Sequence, residues 1–347
     1  MARVYEIHPL EDKRWQEFLE RHAAATVFHS PGWLWALRRT YGYMPSALTT
    51  NGPGEHLTDA LVFCHVRSWM TGHRLVSVPF ADHCEPLVDS KENCASILLH
   101  LKSRCHCEHG RYIEIRAGAQ NFAKEFEMSE AASFCLHTID LRPPLCELFD
   151  ALHHNSIQRK IARADREGVA YTEGTSEHLL RDFYRLMVLT RQRYRLPPQP
   201  LSWFRNLIAC LGDTLKIRLA IYQGKAVAGI LTISYKSSMT YKYGCSDPAF
   251  HRLGPMQLLL WRAVQEAKNK GLLEFDMGRT EFDNHGLLTF KDHWGGRRST
   301  LTYQRYPALG SQRTIEGRAM RIAKLIFSRM PIRLLPTAGR IVYRHIA

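Results

Sequence analysis

Two stretches of the chain follow one pattern. ILLHLKSRCHCEHGRYIEIRAG at 97–118 and LLLWRAVQEAKNKGLLEFDMGRT at 258–280 each read as an apolar helix, a turn glycine, a strand and a terminal arginine. Ahead of each lies the same order of elements: helices, then a meander of three strand-like runs. A long-period repeat of this kind predicts two copies of one α/β unit. The length agrees, since 347 residues fit two domains at roughly 100–200 residues each. The first unit is expected over 1–147 and the second over 148–310, with a basic tail at 311–347. A cleft between two similar units is a common place for a ligand.

The composition, 45% hydrophobic and 23% charged, excludes a disordered chain, a collagen-like fibre and a disulfide miniprotein. The net charge of +14 favours anionic partners: phosphate groups, nucleic acid or an acidic membrane face. No run approaches the roughly 20 apolar residues of a transmembrane helix. The N-terminus, MARVYEIHPLEDKRW, has no signal-peptide core. A cytoplasmic protein is therefore expected, with its nine scattered cysteines as free thiols.

In the first half, helices are expected over 11–41, strands at SALTT, LTDALVFCHV and RLVSVPF, a helix from Glu92 to about Cys105, and strands RYIEIRAG and CLHTIDL. In the second half, a basic helix runs from Leu148 to Arg166 and stops at Gly168. The strand VAYTEG follows, then a long helix from Ser176 and another over Trp203–Leu211. Strands LKIRLAIYQ, AVAGILTISYK and MTYKYGCS follow, with a hairpin at Gly224-Lys225. Pro255 opens a helix that Gly271 ends, before the strand LLEFDMG. GRTEFDNHGLL reads as a loop, and STLTYQRY is the last strand.

The second half, LHHNSIQRKIARADREGV, YKYGCSDPAFHRLGPMQLLLWRAVQEAKNKGLLEFDMG and LLTFKDHWGG, resembles the Fem-type aminoacyltransferases and the bacterial FemAB-like group of the GNAT acyltransferase fold. FHSPGWLWALRRTYGY, HVRSWMTG and LVSVPF resemble the first domain of the FemAB-like proteins that accompany exopolysaccharide and exosortase systems. The resemblance covers about residues 10–310. It implies two tandem GNAT-like domains of α/β (α+β) class, each a mixed, mostly antiparallel sheet flanked by helices. It also implies a C-terminal segment packed on the first domain. The implied activity is transfer of an aminoacyl or acyl group to an amine on a phosphate-bearing envelope or exopolysaccharide precursor. The donor is then aminoacyl-tRNA or acyl-CoA as cosubstrate, with no tightly bound cofactor. Rival readings are an acyl-CoA-dependent N-acyltransferase and a non-catalytic tRNA- or polyanion-binding protein.

The resemblance places the catalytic lysine at Lys291, beside Phe290. Acyl transfer builds negative charge on the carbonyl oxygen, and a fixed ammonium there contributes roughly 3–4 kcal/mol where water is excluded. The alternative is a surface lysine paired with Asp292. Arg38 and Arg193 match the family's phosphate-gripping positions, with Arg191 or Arg195 as alternatives to the latter; Arg offers phosphate a bidentate fork. Arg159 belongs with Lys160, Arg163 and Arg166 to a basic helix that tracks a phosphate backbone or is simply solvated. Arg279, at a strand end beside Asp276, orients substrate. Tyr243 and Trp294 fall in the matching segments and are expected to bind substrate. Gly254 and Met256 stand where a GNAT pyrophosphate loop meets its helix. Pro255 removes one N–H donor there and also suits the first position of a helix.

Asp82, in the tetrad Asp82-His83-Cys84-Glu85, is a candidate general base; a capping turn is the alternative. Cys105-His106-Cys107-Glu108-His109 has the wrong spacing for structural zinc, so no metal is expected and the segment reads as a helix end. From Arg313 to Arg344 the tail holds eight basic residues and one acid. Its stripe Ile315, Ala319, Ile322, Ala323, Ile326, Phe327 and Met330 suits an interfacial helix on an anionic membrane. It equally suits burial against the first domain.

Overall fold

Short polar side chains, prolines and glycines set the boundaries of the elements. The computed structural model describes residues 2–69, 72–117, 127–307 and 335–345. The stripe at 315–330 lies outside the described residues. The described residues form two units. The first takes in residues 2–134, 300–307 and 340–345, and the second 135–299 and 335–339. Among the described residues, no helix is long and apolar enough to cross a membrane.

In the first unit, α1 (Arg14–Arg21) buries Trp15, Phe18 and Leu19. Ser30 caps α2 (Pro31–Tyr41) by accepting from Trp33 N at 3.3 Å, and Gly42 ends it in the left-handed conformation. Strands β1 (Tyr5–Ile7), β2 (Met44–Thr49), β3 (Leu61–Ser68) and β4 (Gly72–Val76) form an antiparallel run. Helix α3 (Lys91–Cys107) then crosses to β5 (Tyr112–Arg116), which pairs parallel with β4. Residues 300–306 of β12 (Arg297–Tyr306) lie beyond β5 and pair with it antiparallel. Ile97, Leu98, Leu101 and Cys105 of α3 pack on Leu61, Phe63, Leu75, Ile113 and Ile115 of the strands. Each such aliphatic side chain stabilises by about 1.5–3 kcal/mol when fully buried.

The second unit repeats the plan. Antiparallel β7 (Ala170–Gly174), β8 (Leu215–Tyr222), β9 (Lys225–Tyr235) and β10 (Ser238–Ser246) precede α8 (Pro255–Asn269). β11 (Glu274–Glu281) then pairs parallel with β10. Residues 135–140 of β6 (Ser129–Asp140) lie beyond β11. Leu258, Leu259, Leu260, Ala263, Val264 and Ala267 of α8 cover Ala228, Ile230, Met239, Phe275 and Met277. Helices α6 (Glu177–Arg193) and α7 (Leu201–Leu211) supply Phe183, Leu186, Trp203 and Phe204 to the interior. Ser176 caps α6, as its place in the sequence predicts. The expected architecture of two α/β units, each with a mixed and mostly antiparallel sheet, is the one observed.

Three local expectations need correction. The helix expected over 148–166 is broken into α4 (Leu145–Asp150), a π-helical turn at His154–Gln158, and α5 (Arg159–Arg166). Gln158 Nε2 donates to the carbonyls of Phe149 and Leu152 at 2.9 and 3.1 Å, which satisfies the end of α4 and competes with a continuous helix. The segment expected as a loop before Phe290 contains α9 (His285–Asp292). Strand β1 was not expected; three residues carry too little pattern to read.

The C-terminal helix α10 (Leu335–Val342) leads to contacts within the first unit. Tyr43 Oη donates to the carbonyls of Tyr343 and Arg344 at 3.2 and 3.0 Å, and Arg74 donates to that of His345 at 2.8 Å. All nine cysteines are free, and six are buried.

Candidate active site

In the second unit, β11 carries Gly278 and Arg279 toward α9. Asp276, 3% exposed, accepts from Gly278 N at 2.7 Å and fixes the strand end. Asn284 Oδ1 accepts from Leu287 N at 3.2 Å and starts α9. Leu288 and Lys291, three residues apart and so on one face of the helix, are its buried residues. Lys291 is 2% exposed. Its Nζ donates to the carbonyl oxygens of Gly278 at 2.6 Å and Arg279 at 3.3 Å. A surface lysine paired with Asp292 is therefore not what the chain makes. Asp292 instead accepts from Arg298 and lies 3.1 Å from His137 Nε2.

His137 is fully buried on β6, with Cys135 Sγ 3.7 Å from its Nδ1. Bonding to the Arg298 guanidinium, and then to His137, holds the Asp292 carboxyl at about 2. Burial lowers the His137 pKa and raises that of the Cys135 thiol. The order Cys135, His137, Asp292 has the connectivity of a nucleophile, base and orienting carboxylate. The thiol, however, is 2% exposed and kept protonated, so this row serves as a polar brace that runs from the interior to half-buried Asp292 at the end of α9. Sequence reading missed it because its partners lie 155 residues apart. Beside the brace, His153 N donates to His293 O at 2.9 Å, and the two imidazoles stack 4.1 Å apart. The break before α5 is thereby tied to the helix that carries Lys291. Phe290 and Trp294 meet edge to face at 6.2 Å, and Trp294 is 1% exposed within the core.

A second group of residues surrounds the start of α8. Gly254 has φ +74°, and a Cβ there would stand 2.4 Å from Lys160 O, so only glycine lets α8 approach α5 this closely. Pro255 has no N–H, and helix geometry leaves the Met256 and Gln257 N–H groups without intrahelical acceptors. Arg163 Nη1 donates to Arg252 O at 3.3 Å. His251 Nε2 lies 2.8 Å from Ser246 Oγ, and its pKa is lowered by burial and then by the charges of Arg193 and Lys160. Cations from α5 and α6 thus lie around the turn that leads into one helix N-terminus, an arrangement that favours an anion.

The remaining candidates have plainer surroundings. Arg159 is exposed at the start of α5 and donates to Asn155 at 3.1 Å. Arg193 lies over the Tyr194 ring at 5.0 Å. A register shift in β10 between Tyr241 and Tyr243 re-aims Tyr243, whose hydroxyl accepts from Trp203 Nε1 at 2.9 Å. Arg38 and Asp82 belong to the first unit. Arg38 lies over Trp35 at 5.0 Å and 3.8 Å from Glu11. Asp82 is 9% exposed, and its carbonyl accepts from Tyr303 Oη at 2.6 Å.

Residues 152–292 match the family model of the acetyltransferase (GNAT) domain. The chain is similar in fold to the crystal structure of FemX, with a TM-score of 0.68 at 14% identity, over 90% of this chain and 99% of that one. It is also similar to the C-terminal domain of a putative lysylphosphatidylglycerol synthetase from Agrobacterium fabrum, with a TM-score of 0.58 at 12% identity, over 90% and 96% of the two chains. A tandem GNAT protein from the clavulanic acid biosynthesis pathway gives a TM-score of 0.56 at 12% identity, over 88% and 98%. No curated protein matches the sequence.

Proposed function

From an acyltransferase whose residues 152–292 form a GNAT domain on the fold of the FemAB-like group, we propose transfer of an aminoacyl or acyl group to an amine on a phosphate-bearing cell-envelope or exopolysaccharide precursor. The observation that carries this reading is the presence of Lys160, Arg163 and Arg193 around the turn that leads into α8, in the same domain as buried Lys291. Both candidate donors present phosphate: the pyrophosphate of an acyl-CoA or the acceptor end of an aminoacyl-tRNA. The name of the putative lysylphosphatidylglycerol synthetase, which joins an amino acid to a membrane lipid, favours an aminoacyl group and an envelope acceptor.

In this reading the neutral amine of the acceptor attacks the donor carbonyl. A C–N bond forms and the carbonyl oxygen gains negative charge. The Lys291 ammonium, fixed by two backbone carbonyls, stabilises that charge without having to reorganise. Collapse breaks the C–O bond of an aminoacyl ester or the C–S bond of a thioester. The proton lost by the amine ends on the leaving hydroxyl or thiol. Arg279 orients the donor carbonyl, and Phe290 and Trp294 hold α9 in place from the core. Arg38 grips acceptor phosphate.

An acyl-CoA donor has one observation of its own, the match to an acetyltransferase model. Pro255 and Met256 weigh against it, because they remove a donor and add bulk where a pyrophosphate would sit. The test is a donor screen: acyl-CoAs and charged tRNAs are offered with lipid-linked precursors, and products are read by mass spectrometry. An acceptor heavier by one aminoacyl or acyl group supports the proposal. Donor hydrolysis alone, with the acceptor unmodified throughout, would sink it.

A further inference from the structure

We propose that His65, His73 and Glu108 form a binding site for a divalent transition metal in the first unit, with zinc the ion their donor set fits. His65 lies on β3 and His73 on β4. The register pairs His65 with Leu75, so His73 is its diagonal neighbour on the same face. Glu108 follows the last residue of α3. His65 Nδ1 and His73 Nε2 are 3.4 Å apart, and Glu108 Oε2 lies 3.4 Å from the first and 3.5 Å from the second. A tetrahedral zinc with bonds of about 2.0–2.1 Å holds its ligand atoms about 3.3–3.4 Å apart. The three donor atoms already have that spacing.

Three further features separate this group from an incidental polar cluster. Glu108 Oε2 is buried and, despite facing both rings, has no hydrogen-bond partner. A buried carboxylate oxygen left in that state is costly unless a cation meets it. Two ring nitrogens directed at each other also repel unless a proton or a metal lies between them. The surroundings orient the ligands in the way metal sites do: Arg104 Nε donates to Glu108 Oε1 at 2.7 Å, leaving Oε2 for the ion, and His73 Nδ1 lies 3.4 Å from Glu108 O, leaving Nε2 for the ion. Glu6 pairs with Arg104 and offsets its charge. The side chains are 13%, 14% and 25% exposed, so the group is not sealed from solvent, the source of a fourth ligand. Two imidazoles and one carboxylate suit zinc better than calcium or magnesium.

This departs from the expectation of no metal. The Cys105–His109 segment that looked like ligation contributes only Glu108. Cys105 Sγ is directed at Gly110 O at 3.5 Å, and His106 pairs with Tyr306.

The test uses the full chain, free of any tag and stripped with chelator. It is equilibrated with zinc at micromolar free concentration, desalted and assayed by elemental mass spectrometry. One zinc per chain is expected. Glu108→Gln, which keeps size and shape, and His73→Asn should each weaken zinc binding by about 100-fold or more, at or beyond the upper end of outer-shell effects. Cys107→Ser and His106→Gln should retain it. Cobalt in place of zinc should give the visible absorption of a tetrahedral nitrogen and oxygen site. Protein that emerges without zinc, or zinc that survives both ligand changes in folded variants, would overturn the site and leave a metal-free His–Glu cluster.

Discussion

Lys291 Nζ donates to the carbonyl oxygen of Gly278 at 2.6 Å, across the 13 positions that separate helix α9 from the end of β11. A single cationic side chain therefore joins the helix to the strand end. Lys291→Met removes the donor from two carbonyls, and leaving a buried acceptor unsatisfied costs about 1–3 kcal/mol. Urea denaturation should show a loss in that range. A change within about 0.5 kcal/mol, as for a surface lysine, would show that the bonds do not hold the element.

Gly254 is the close contact between α5 and α8. Gly254→Ala puts a methyl 2.4 Å from Lys160 O at φ +74°. Overpacking of this kind costs about 1–3 kcal/mol. Thermal unfolding should begin earlier, and the KM for the donor should rise, because the cations of α5 move away from the helix start. An unchanged melting profile would mean that the two helices part easily.

His29 is buried and neutral. Burial lowers its pKa from 6.5 to about 4, while Nε2 lies 2.9 Å from Glu85 O and Thr26 N donates to Nδ1 at 3.1 Å. The depressed value means that the unfolded chain binds the proton first. Stability from this group is complete above pH 6.5 and is lost as pH falls toward 4. Between pH 7 and pH 5 the loss is about 2 kcal/mol. Denaturant midpoints at the two pH values measure it, and His29→Gln should flatten the slope. An equal slope in both proteins would place the pH dependence elsewhere.

Much of the fold was legible because the repeated helix, glycine and strand obey local rules: Gly271 ends α8, and the apolar rhythm of Met256 to Ala267 marks its buried face. The start of α9 was not legible. Asn284 and Gly286 read as turn formers, yet Asn284 is the cap of a helix whose buried face is only Leu288 and Lys291. Lys291 could be singled out by resemblance, but its burial could not be read, since lysines are almost always exposed. His137 carries no local signal, and of the His65–His73–Glu108 group only Glu108 lay in a segment that drew notice, for other residues. Asp292 lies 155 residues from His137, and the register of β3 and β4 with the end of α3 brings His65, His73 and Glu108 together.

The cations around α8 should act on binding rather than on chemistry. Phosphate is held equally in the ground and transition states, so Lys160→Ala and Arg193→Ala should raise the donor KM several-fold with kcat nearly unchanged. The effect should shrink as salt rises. A collapsed kcat with constant KM would place these residues at the reacting carbonyl. Arg38→Ala should likewise raise the KM of the acceptor.

In the proposed acyl transfer, the charge of Lys291 stabilises the oxyanion. The most direct measurement of that role is kcat for transfer of a labelled acyl or aminoacyl group, at saturating donor and acceptor, in the wild type and in folded Lys291→Met. A loss of about 10²-fold or more is expected, the scale of removing one oxyanion donor. Turnover in the variant within a factor of a few of the wild type would contradict it.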